Sequence, residues 1–237
     1  MSLSPDEIAR YARHIVLKDV GGTGQQKLKA ARVLVVGAGG LGSPVIAYLA
    51  AAGVGTIGIV DDDAVSLSNL QRQILHRTGD VGQAKTASAR RFVGELNPGV
   101  QVALFEERLT PENADMIITP YDVVLDGTDN FDTRAIVAAA AKALRKPLVS
   151  GAVSMWDGQV TVFLPDGPGF DALYPQQPDP ADLPSCEAVG VIGAVTGVIG
   201  TLMAMEAIKL ITGTGEVLAG RLLLYDGRDA RFSEIRT

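Results

Sequence analysis

A glycine-rich segment is the first feature of this sequence that could do chemistry. Gly37-Ala38-Gly39-Gly40-Leu41-Gly42 follows the apolar run Val33–Val36 and precedes a helix predicted from about Leu41 to Ala52. Glycines at this spacing let a backbone approach phosphate groups, and the free N–H groups of a helix's first turn attract anions. Asp61 and Asp63, at the end of the next predicted strand, could bind ribose hydroxyls. The pattern predicts nucleotide binding but not which nucleotide. A turn that only packs a helix against a strand is the alternative.

Two cations beyond the acidic strand end favour a triphosphate. Arg72 belongs to Asn69-Leu70-Gln71-Arg72-Gln73, within a helix predicted over Leu67–Leu75, and Lys85 lies on the following helix, predicted over Gln83–Leu96. A dinucleotide needs little positive charge near its diphosphate, whereas a triphosphate site needs cations on the transferring and leaving phosphates. Taken singly, each side chain could also be an ordinary exposed charge on a helix.

A third group of polar residues ends the fourth predicted strand, in Asp126-Gly127-Thr128-Asp129-Asn130. Ligands of open α/β sheets bind at the carboxyl ends of the strands. Asp129 could hold Mg²⁺ on a polyphosphate, because Mg²⁺ prefers one or two carboxylates together with phosphate oxygens. The alternative is that Asp or Asn here only caps the helix predicted over Thr133–Leu144.

Cys186, the single cysteine, ends a proline-rich stretch, 165–184, and precedes an apolar glycine-containing segment predicted to be a helix. The positive end of a helix favours the nucleophilic thiolate, although a small core hydrophobe is the commoner role of a lone cysteine. One cysteine and two histidines, His14 and His76, exclude an intrachain disulfide and a Cys/His zinc site within one chain. Neither histidine suggests a role.

Composition narrows the class of protein further. The 237 residues are 47% hydrophobic, which excludes general disorder, and 27 acidic against 21 basic side chains give a net charge of −6. That charge argues against a nucleic-acid-binding protein. No signal peptide is visible, so we expect a cytoplasmic protein. The segment 188–205 carries no charge, but Gly190, Gly193, Gly197 and Gly200 lie on one predicted helical face and indicate a buried helix rather than a membrane span.

The order of elements predicts the architecture. Short apolar strands alternate with helices of about a dozen residues, which is typical of a doubly wound sheet. After Pro147 the pattern changes to strands joined by short connections, hence antiparallel. The expected fold is α/β, a Rossmann-like doubly wound mixed sheet of about eight strands, parallel in its first half and antiparallel at its C-terminal strands. The predicted strands are Val33–Val36, Thr56–Asp61, Val100–Phe105, Asp122–Asp126, Leu148–Val153, Gln159–Leu164, Arg221–Tyr225 and Arg231–Ile235.

Together, these motifs resemble those of the ThiF/MoeB/HesA family, the bacterial relatives of ubiquitin-activating enzymes. The resemblance covers nearly the whole chain in unbroken order. It rests on Arg10-Tyr11-x-Arg13-His14-Ile15, the glycine segment above, Asp61-x-Asp63-x-Val65-x-Leu67-Ser68-Asn69-Leu70-x-Arg72-Gln73, Gly82-x-x-Lys85, Asp129-Asn130 and Met205-Glu206-Ala207-Ile208-Lys209. The block from Ser68 to Gln73 is highly specific.

The resemblance implies an enzyme, an ATP- and Mg²⁺-dependent adenylyltransferase of a small ubiquitin-like sulfur carrier ending in Gly-Gly, of the ThiS or MoaD type. The carrier's terminal carboxylate would attack the α-phosphate, release pyrophosphate and form an acyl-adenylate. Arg72, Lys85 and Asp129 would be catalytic, with Asp129 on Mg²⁺. Arg13 would act on the partner subunit's ATP, which implies a homodimer, and Cys186 matches a cysteine whose necessity differs within the family. The implied nucleotide-binding residues are Gly37, Gly39, Gly40, Gly42, Asp61, Asp63, Ser68, Asn69, Arg72, Gln73, Lys85, Asp129 and Asn130.

Departures from the family pattern limit what is expected. Gly169 and Ala172 stand where many members have a Cys-x-x-Cys pair, so no structural zinc is expected. We expect a separate sulfur donor, of cysteine desulfurase or rhodanese type, and one domain over 1–237, with N-terminal helices (1–31), a nucleotide-binding half (32–146) and a carrier-binding half with a crossover loop (147–237). Thiamine, molybdopterin and tRNA thiolation pathways all remain open. An NAD-dependent oxidoreductase and a non-catalytic carrier-binding adaptor are the alternative functions.

Overall fold

An eight-stranded sheet forms the centre of the molecule. The computed structural model describes residues 2–176 and 189–237. The strands are β1 (Arg32–Val36), β2 (Thr56–Val60), β3 (Gln101–Phe105), β4 (Val123–Asp126), β5 (Leu148–Ser154), β6 (Asp157–Phe163), β7 (Arg221–Asp226) and β8 (Arg231–Arg236). Their order in the sheet is β3-β2-β1-β4-β5-β6-β7-β8.

The sheet is mixed, as the sequence predicts. The pairs β3–β2, β2–β1, β1–β4 and β4–β5 are parallel, and the pairs from β5–β6 to β7–β8 are antiparallel. Val33–Val36 are at most 2% exposed, as expected of a central parallel strand that is covered on both faces. The chain runs from β1 to β2 on one side, whereas β4 lies on the other side of β1. The strand order therefore reverses at β1 and β4, and a crevice opens where it does.

Helices cover both faces of the sheet. They are α1 (Pro5–Arg10), α2 (Ala12–Ile15), α3 (Gly21–Ala30), α4 (Gly42–Ala52), α5 (Lys85–Leu96), α6 (Ala114–Ile118), α7 (Phe131–Ala143), α8 (Phe170–Leu173) and α9 (Gly193–Thr212). On one face, Leu28, Ile46, Val93 and Met203 bring α3, α4, α5 and α9 into one apolar core. On the other, α6 and α7 build a second core around Tyr121.

Some predicted helix boundaries were wrong, for physical reasons. No α-helix forms over 67–75, where the chain makes a 3-10 turn at Leu67–Asn69 followed by further turns. The Asn69 side chain accepts a hydrogen bond from Ser66 N at 3.2 Å, and such local bonds compete with helical ones. The helices predicted from Gln83 and Thr133 begin at Lys85 and Phe131 instead, and the proline-rich stretch from Pro165 contains α8.

The helix α9 packs against α4 on one side and against β4, β5 and β6 of the sheet on the other. A Cβ at Gly200 would lie 2.6 Å from the Leu41 carbonyl oxygen, so only glycine allows this approach. The prediction was wrong at the start of the helix. Gly190 has φ +78° and precedes α9, which begins at Gly193, so Gly190 does not share its face. Cys186 lies outside the described residues.

By length and hydropathy, α9 is the one described helix that could cross a membrane. Its surroundings are those of a core helix, because it packs against α4, β5 and β6. Glu206 on α9 is 4% exposed and accepts a hydrogen bond from Leu218 N at 2.8 Å.

Candidate active site at the carboxyl edge of the sheet

A cavity of about 580 Å³ lies where the strand order reverses. It follows the carboxyl ends of neighbouring strands from Asp61 after β2, past Gly37 after β1 and Asp129 after β4, to Ser154 at the end of β5. Three strand spacings separate β2 from β5, so the cavity extends about 14 Å along the sheet edge. Ten of the predicted site residues line it: Gly37, Gly39, Gly40, Asp61, Asp63, Arg72, Gln73, Lys85, Asp129 and Asn130.

The glycine turn, defined as residues 37–41, forms one wall of the cavity. Gly37 has φ +92°, a conformation that L side chains rarely adopt, and its N–H donates to Val60 O at 2.8 Å. A Cβ at Gly42 would lie 1.9 Å from the Gly37 carbonyl oxygen. Gly42 therefore closes the turn onto the start of α4 without lining the cavity itself.

Lys85 is a buried cation between two carboxylates, not an exposed helix charge. It is 5% exposed, and its Nζ lies 2.7 Å from Asp63 Oδ2 and 3.8 Å from Asp61 Oδ1. Burial raises the pKa of Asp61, which Lys85 and the N–H groups of Ala38 and Asp63 partly offset. An anionic ligand would find in Lys85 a positive charge that is already desolvated and held in place.

Arg72 reaches the cavity from the turns that replace the predicted helix. Its Nη1 donates to Ser68 O at 3.2 Å, and its own carbonyl lies 3.5 Å from Thr196 Oγ1, in the first turn of α9. Asn69, 8% exposed, is engaged with Ser66. Ser68 and Asn69 therefore support the segment but do not line the cavity.

Gln73 lines the cavity and has a buried side-chain oxygen. It is 4% exposed, and its Oε1 has no hydrogen-bond partner among the residues that the structure describes. A buried amide oxygen without a partner costs free energy.

A network of buried polar bonds shapes the turn that carries Asp129. Asp126, 1% exposed, accepts from Thr128 N at 3.0 Å and Thr128 Oγ1 at 2.6 Å through one oxygen, and from Ser150 Oγ at 3.1 Å through the other. Asn130 caps α7, accepting from Thr133 N at 2.8 Å. The cap is thus Asn130. The Asp129 carboxylate faces the cavity without a hydrogen bond or ion pair to any described residue.

Several residues of the cavity were missed by sequence reasoning. Arg108 and Arg134 add positive charge, and Arg134 donates to Thr128 O beside Asp129. Arg134 left one signal, because a cation in the first turn of a helix opposes the helix dipole. Gln159 and Tyr174 form the wall near β5 and β6, with Gln159 Nε2 donating to Tyr174 Oη at 2.6 Å. These two have no local signal, because the fold alone brings them together.

Arg13 lies far from the cavity of its own chain. It is exposed on α2, next to Tyr11, whose hydroxyl accepts from Asn97 Nδ2 at 2.8 Å. Asn97 also donates to Ala50 O, near the end of α4, whereas the glycine turn precedes the start of α4. About 12 Å of helix separates Gly42 from Ala50. Arg13 does not line the cavity of its own chain, and its role at the cavity of another subunit stays a prediction.

Known proteins are similar to this chain in sequence. The chain is 51% identical over 239 aligned residues to the probable adenylyltransferase/sulfurtransferase MoeZ of Mycobacterium tuberculosis, covering 99% of this chain and 61% of MoeZ. It is 48% identical to a sulfur carrier protein adenylyltransferase of Thermus thermophilus, covering 99% of this chain and 89% of that protein. The chain thus spans about three fifths of MoeZ and most of the Thermus protein.

Solved structures agree on the fold. The crystal structure of MccB from E. coli superimposes with a TM-score of 0.86 at 19% identity, covering 99% of this chain and 71% of that one. At that identity the likeness concerns the fold alone. The profile of the ThiF family matches residues 11–237. By fold, by sequence and by the residues gathered at the sheet edge, the chain belongs to the ThiF family.

Proposed function

We propose that this protein is an ATP-dependent adenylyltransferase whose substrate is the C-terminal Gly-Gly carboxylate of a small ubiquitin-like sulfur carrier of the ThiS or MoaD type. The observation that carries the proposal is the meeting of Arg72, Lys85 and Asp129 with the glycine turn around one cavity. The names of the MoeZ and Thermus relatives support the same reaction class.

A nucleoside triphosphate fits the donors and acceptors of this cavity. The turn offers backbone N–H groups, and Lys85 and Arg72 offer charge to phosphate oxygens. Asp61 and Asp63 supply acceptors on the ribose side.

Asp129 would hold Mg²⁺. Its carboxylate is exposed in the cavity and is not paired with any described residue, which leaves both oxygens for a cation. When bound, the metal ion supplies charge neutralisation on the phosphate oxygens.

The reaction then needs positioning and charge stabilisation. An oxygen of the carrier carboxylate forms a bond to the α-phosphorus, the bond from that phosphorus to the α,β-bridging oxygen breaks, and pyrophosphate leaves with the electron pair. Lys85 and Arg72 stabilise negative charge that develops on the phosphates. No side chain has to remove a proton, because the attacking carboxylate is ionised at neutral pH.

The carrier tail would enter along the β5 side of the cavity. A tail ending in Gly-Gly has no side chain at its last two residues, so its backbone could lie close to the aromatic side chains of this wall. Phe131 and Tyr174 form an edge-to-face pair, with ring centroids 5.4 Å apart, on this side of Asp129. The hydroxyl of Ser154 and the amide of Gln159 could bind the tail's backbone.

The proposal extends to the assembly. We propose one domain over 1–237, a homodimer in which Arg13 reaches the partner's ATP, a cytoplasmic location and a separate sulfur donor of the cysteine desulfurase or rhodanese type. A role of Cys186 as a nucleophile, and the choice among thiamine, molybdopterin and tRNA thiolation pathways, rest on the family resemblance alone.

Carrier-dependent exchange of labelled pyrophosphate into ATP tests this function. Purified ThiS-like and MoaD-like carriers with intact Gly-Gly ends are each mixed with the protein, ATP and Mg²⁺. We expect exchange with at least one carrier and none after its last glycine is removed. Binding of ATP without exchange on any carrier would favour a carrier-binding adaptor, and absence of ATP binding would contradict the proposed enzyme.

A further inference from the structure

His76 is a buried titratable residue that the reaction above does not use. It is 4% exposed, follows the turns that carry Arg72 and Gln73, and does not line the cavity. Its imidazole lies between the glycine turn and α5, with Nε2 3.0 Å from the Ala38 carbonyl oxygen and Nδ1 2.9 Å from Ser88 Oγ. Both ring nitrogens therefore have partners within the protein.

The partners determine where the ring proton lies. A carbonyl oxygen only accepts, so Nε2 must carry a proton and donate it to Ala38 O. Nδ1 faces Ser88 Oγ at 2.9 Å. The one proton of that hydroxyl is donated to Asp80 Oδ2 at 2.7 Å, so Ser88 presents an oxygen lone pair to Nδ1. Asp80 is in turn paired with Arg91. On the side away from Ala38, the ring is therefore fixed by Ser88 of α5 and by Asp80, which precedes that helix.

The bond to Ala38 fixes a peptide plane of the glycine turn. In a trans peptide the C=O of Ala38 and the N–H of Gly39 share one plane and point in opposite directions. Because the carbonyl points to the buried imidazole, the Gly39 N–H points away from it, and Gly39 lines the cavity. That N–H has no acceptor among the described residues.

The backbone N–H of Ala38 is fixed as well. Its N–H donates to Asp61 Oδ2 at 2.7 Å. Asp61 is also near Lys85, which lies on the same helix as Ser88. The imidazole therefore connects the helix that carries the cation with the turn whose amides face the same cavity.

We propose that His76 is a positioning residue that, through its Nε2–H bond to the Ala38 carbonyl, aims the Gly39 N–H at a phosphate of the bound nucleotide. The phosphate part of this inference rests on the proposed function, but the orientation of the turn does not. Gln at position 76 could keep a donor near Ala38, whereas Phe fills the space without one. The test therefore compares His76→Gln with His76→Phe.

The first readout is amide hydrogen exchange of the nucleotide-free protein. We expect His76→Phe to raise exchange of the amides at 37–41 at least about tenfold, as local opening of the turn becomes easier, and His76→Gln to stay near wild type. Nitrogen-15 NMR of the wild-type imidazole should find a proton on Nε2. Absence of a proton on Nε2, or unchanged exchange in His76→Phe, would overturn the proposal.

The second readout is the affinity for ATP, measured by calorimetry, with KM and kcat from pyrophosphate exchange. We expect His76→Phe to weaken ATP binding and raise KM about tenfold or more, with His76→Gln restoring most of the affinity. Val93→Ala, a buried change on the same helix, is the control for general loss of stability and should leave KM within about twofold. Equal KM values for His76→Phe and Val93→Ala, or for His76→Phe and His76→Gln, would contradict the positioning role. If wild type binds no ATP, the proposed function fails while the exchange readout still decides the role of His76.

Discussion

At the scale of single residues, the charged side chains of the site differ in whether they are paired with other residues of the protein. Lys85 is buried between Asp61 and Asp63, so folding has already removed water from its charge before any ligand binds. Asp129, in contrast, is exposed and unpaired among the described residues. We expect the first kind of residue to contribute to both stability and chemistry, and the second to chemistry alone.

Asp129→Asn tests that distinction. Removing the charge should lower carrier-dependent pyrophosphate exchange about 100-fold or more, the usual effect of losing one electrostatic contact to a transition state. The melting temperature should stay near wild type, because the lost carboxylate makes no bond within the described structure. Asp166→Asn, which breaks an exposed ion pair with Arg145, is the control and should leave exchange unchanged. Wild-type exchange in Asp129→Asn would remove this residue from the mechanism.

His76 should make stability depend on pH. Burial lowers its pKa, and Lys85 and Arg77 act in the same direction, while the Ala38 carbonyl and Asp80 oppose them. The folded state therefore binds this proton less readily than the unfolded chain. The contribution of the neutral His76 to the free energy of unfolding is fully present above the unfolded-state pKa of about 6.5. It is lost as the pH falls from there through the lower folded-state pKa.

Urea unfolding of wild type and His76→Gln at a series of pH values below 7 measures this contribution. We expect the free energy of unfolding to fall less steeply with acid in His76→Gln, because no imidazole has to be protonated on unfolding. Parallel curves for the two proteins would contradict a lowered pKa.

At the scale of elements, the close packing of α9 on α4 holds the site together. The first turn of α9 supports the Arg72 segment, and its middle approaches the Leu41 carbonyl at the start of α4. A change at this contact should therefore act on both stability and the glycine turn.

Two glycines of α9 allow this prediction to be tested, because one of them contacts α4 and the other does not. A Cβ at Gly200 would lie 2.4 Å from Pro44 Cγ and 2.6 Å from Leu41 O, whereas a Cβ at Gly197 meets no atom within 4 Å. Gly200→Ala should cost about 1–3 kcal/mol in the free energy of unfolding and weaken ATP binding. Gly197→Ala should be neutral or stabilise by up to about 1 kcal/mol, because alanine favours the helix. Equal effects in denaturant titrations would show that the contact does not limit packing.

At the scale of the whole molecule, Arg13 and the cavity of the same chain lie at opposite ends of α4. If the site is shared between subunits, an Arg13→Ala subunit and an Asp129→Ala subunit should complement each other. A mixed dimer has one intact site, so random mixing of the two inactive variants should recover about a quarter of wild-type exchange. No recovery, with mixed dimers detected by native mass spectrometry, would contradict sharing.

The sequence predicts the fold well and the cavity in part. Short apolar runs identify all eight strands, including β8, whose residues are all exposed, and the glycine turn carries its own spacing. The segment 67–75 was predicted wrongly because the Ser66–Asn69 bonds override its apolar spacing. Gln159, Tyr174 and the His76–Ala38 contact could not be predicted, since they join segments distant in sequence whose types carry no local signal.

The most direct test of adenylyl transfer follows the oxygen that attacks phosphorus. A carrier labelled with ¹⁸O in its terminal carboxylate is incubated with ATP, Mg²⁺ and the protein, and the product is quenched with hydroxylamine. The acyl-adenylate mechanism predicts AMP with one ¹⁸O and a carrier hydroxamate, because the carboxylate oxygen stays on phosphorus when the acyl bond breaks. Recovery of unlabelled AMP and an unmodified, fully labelled carrier would contradict the proposed reaction.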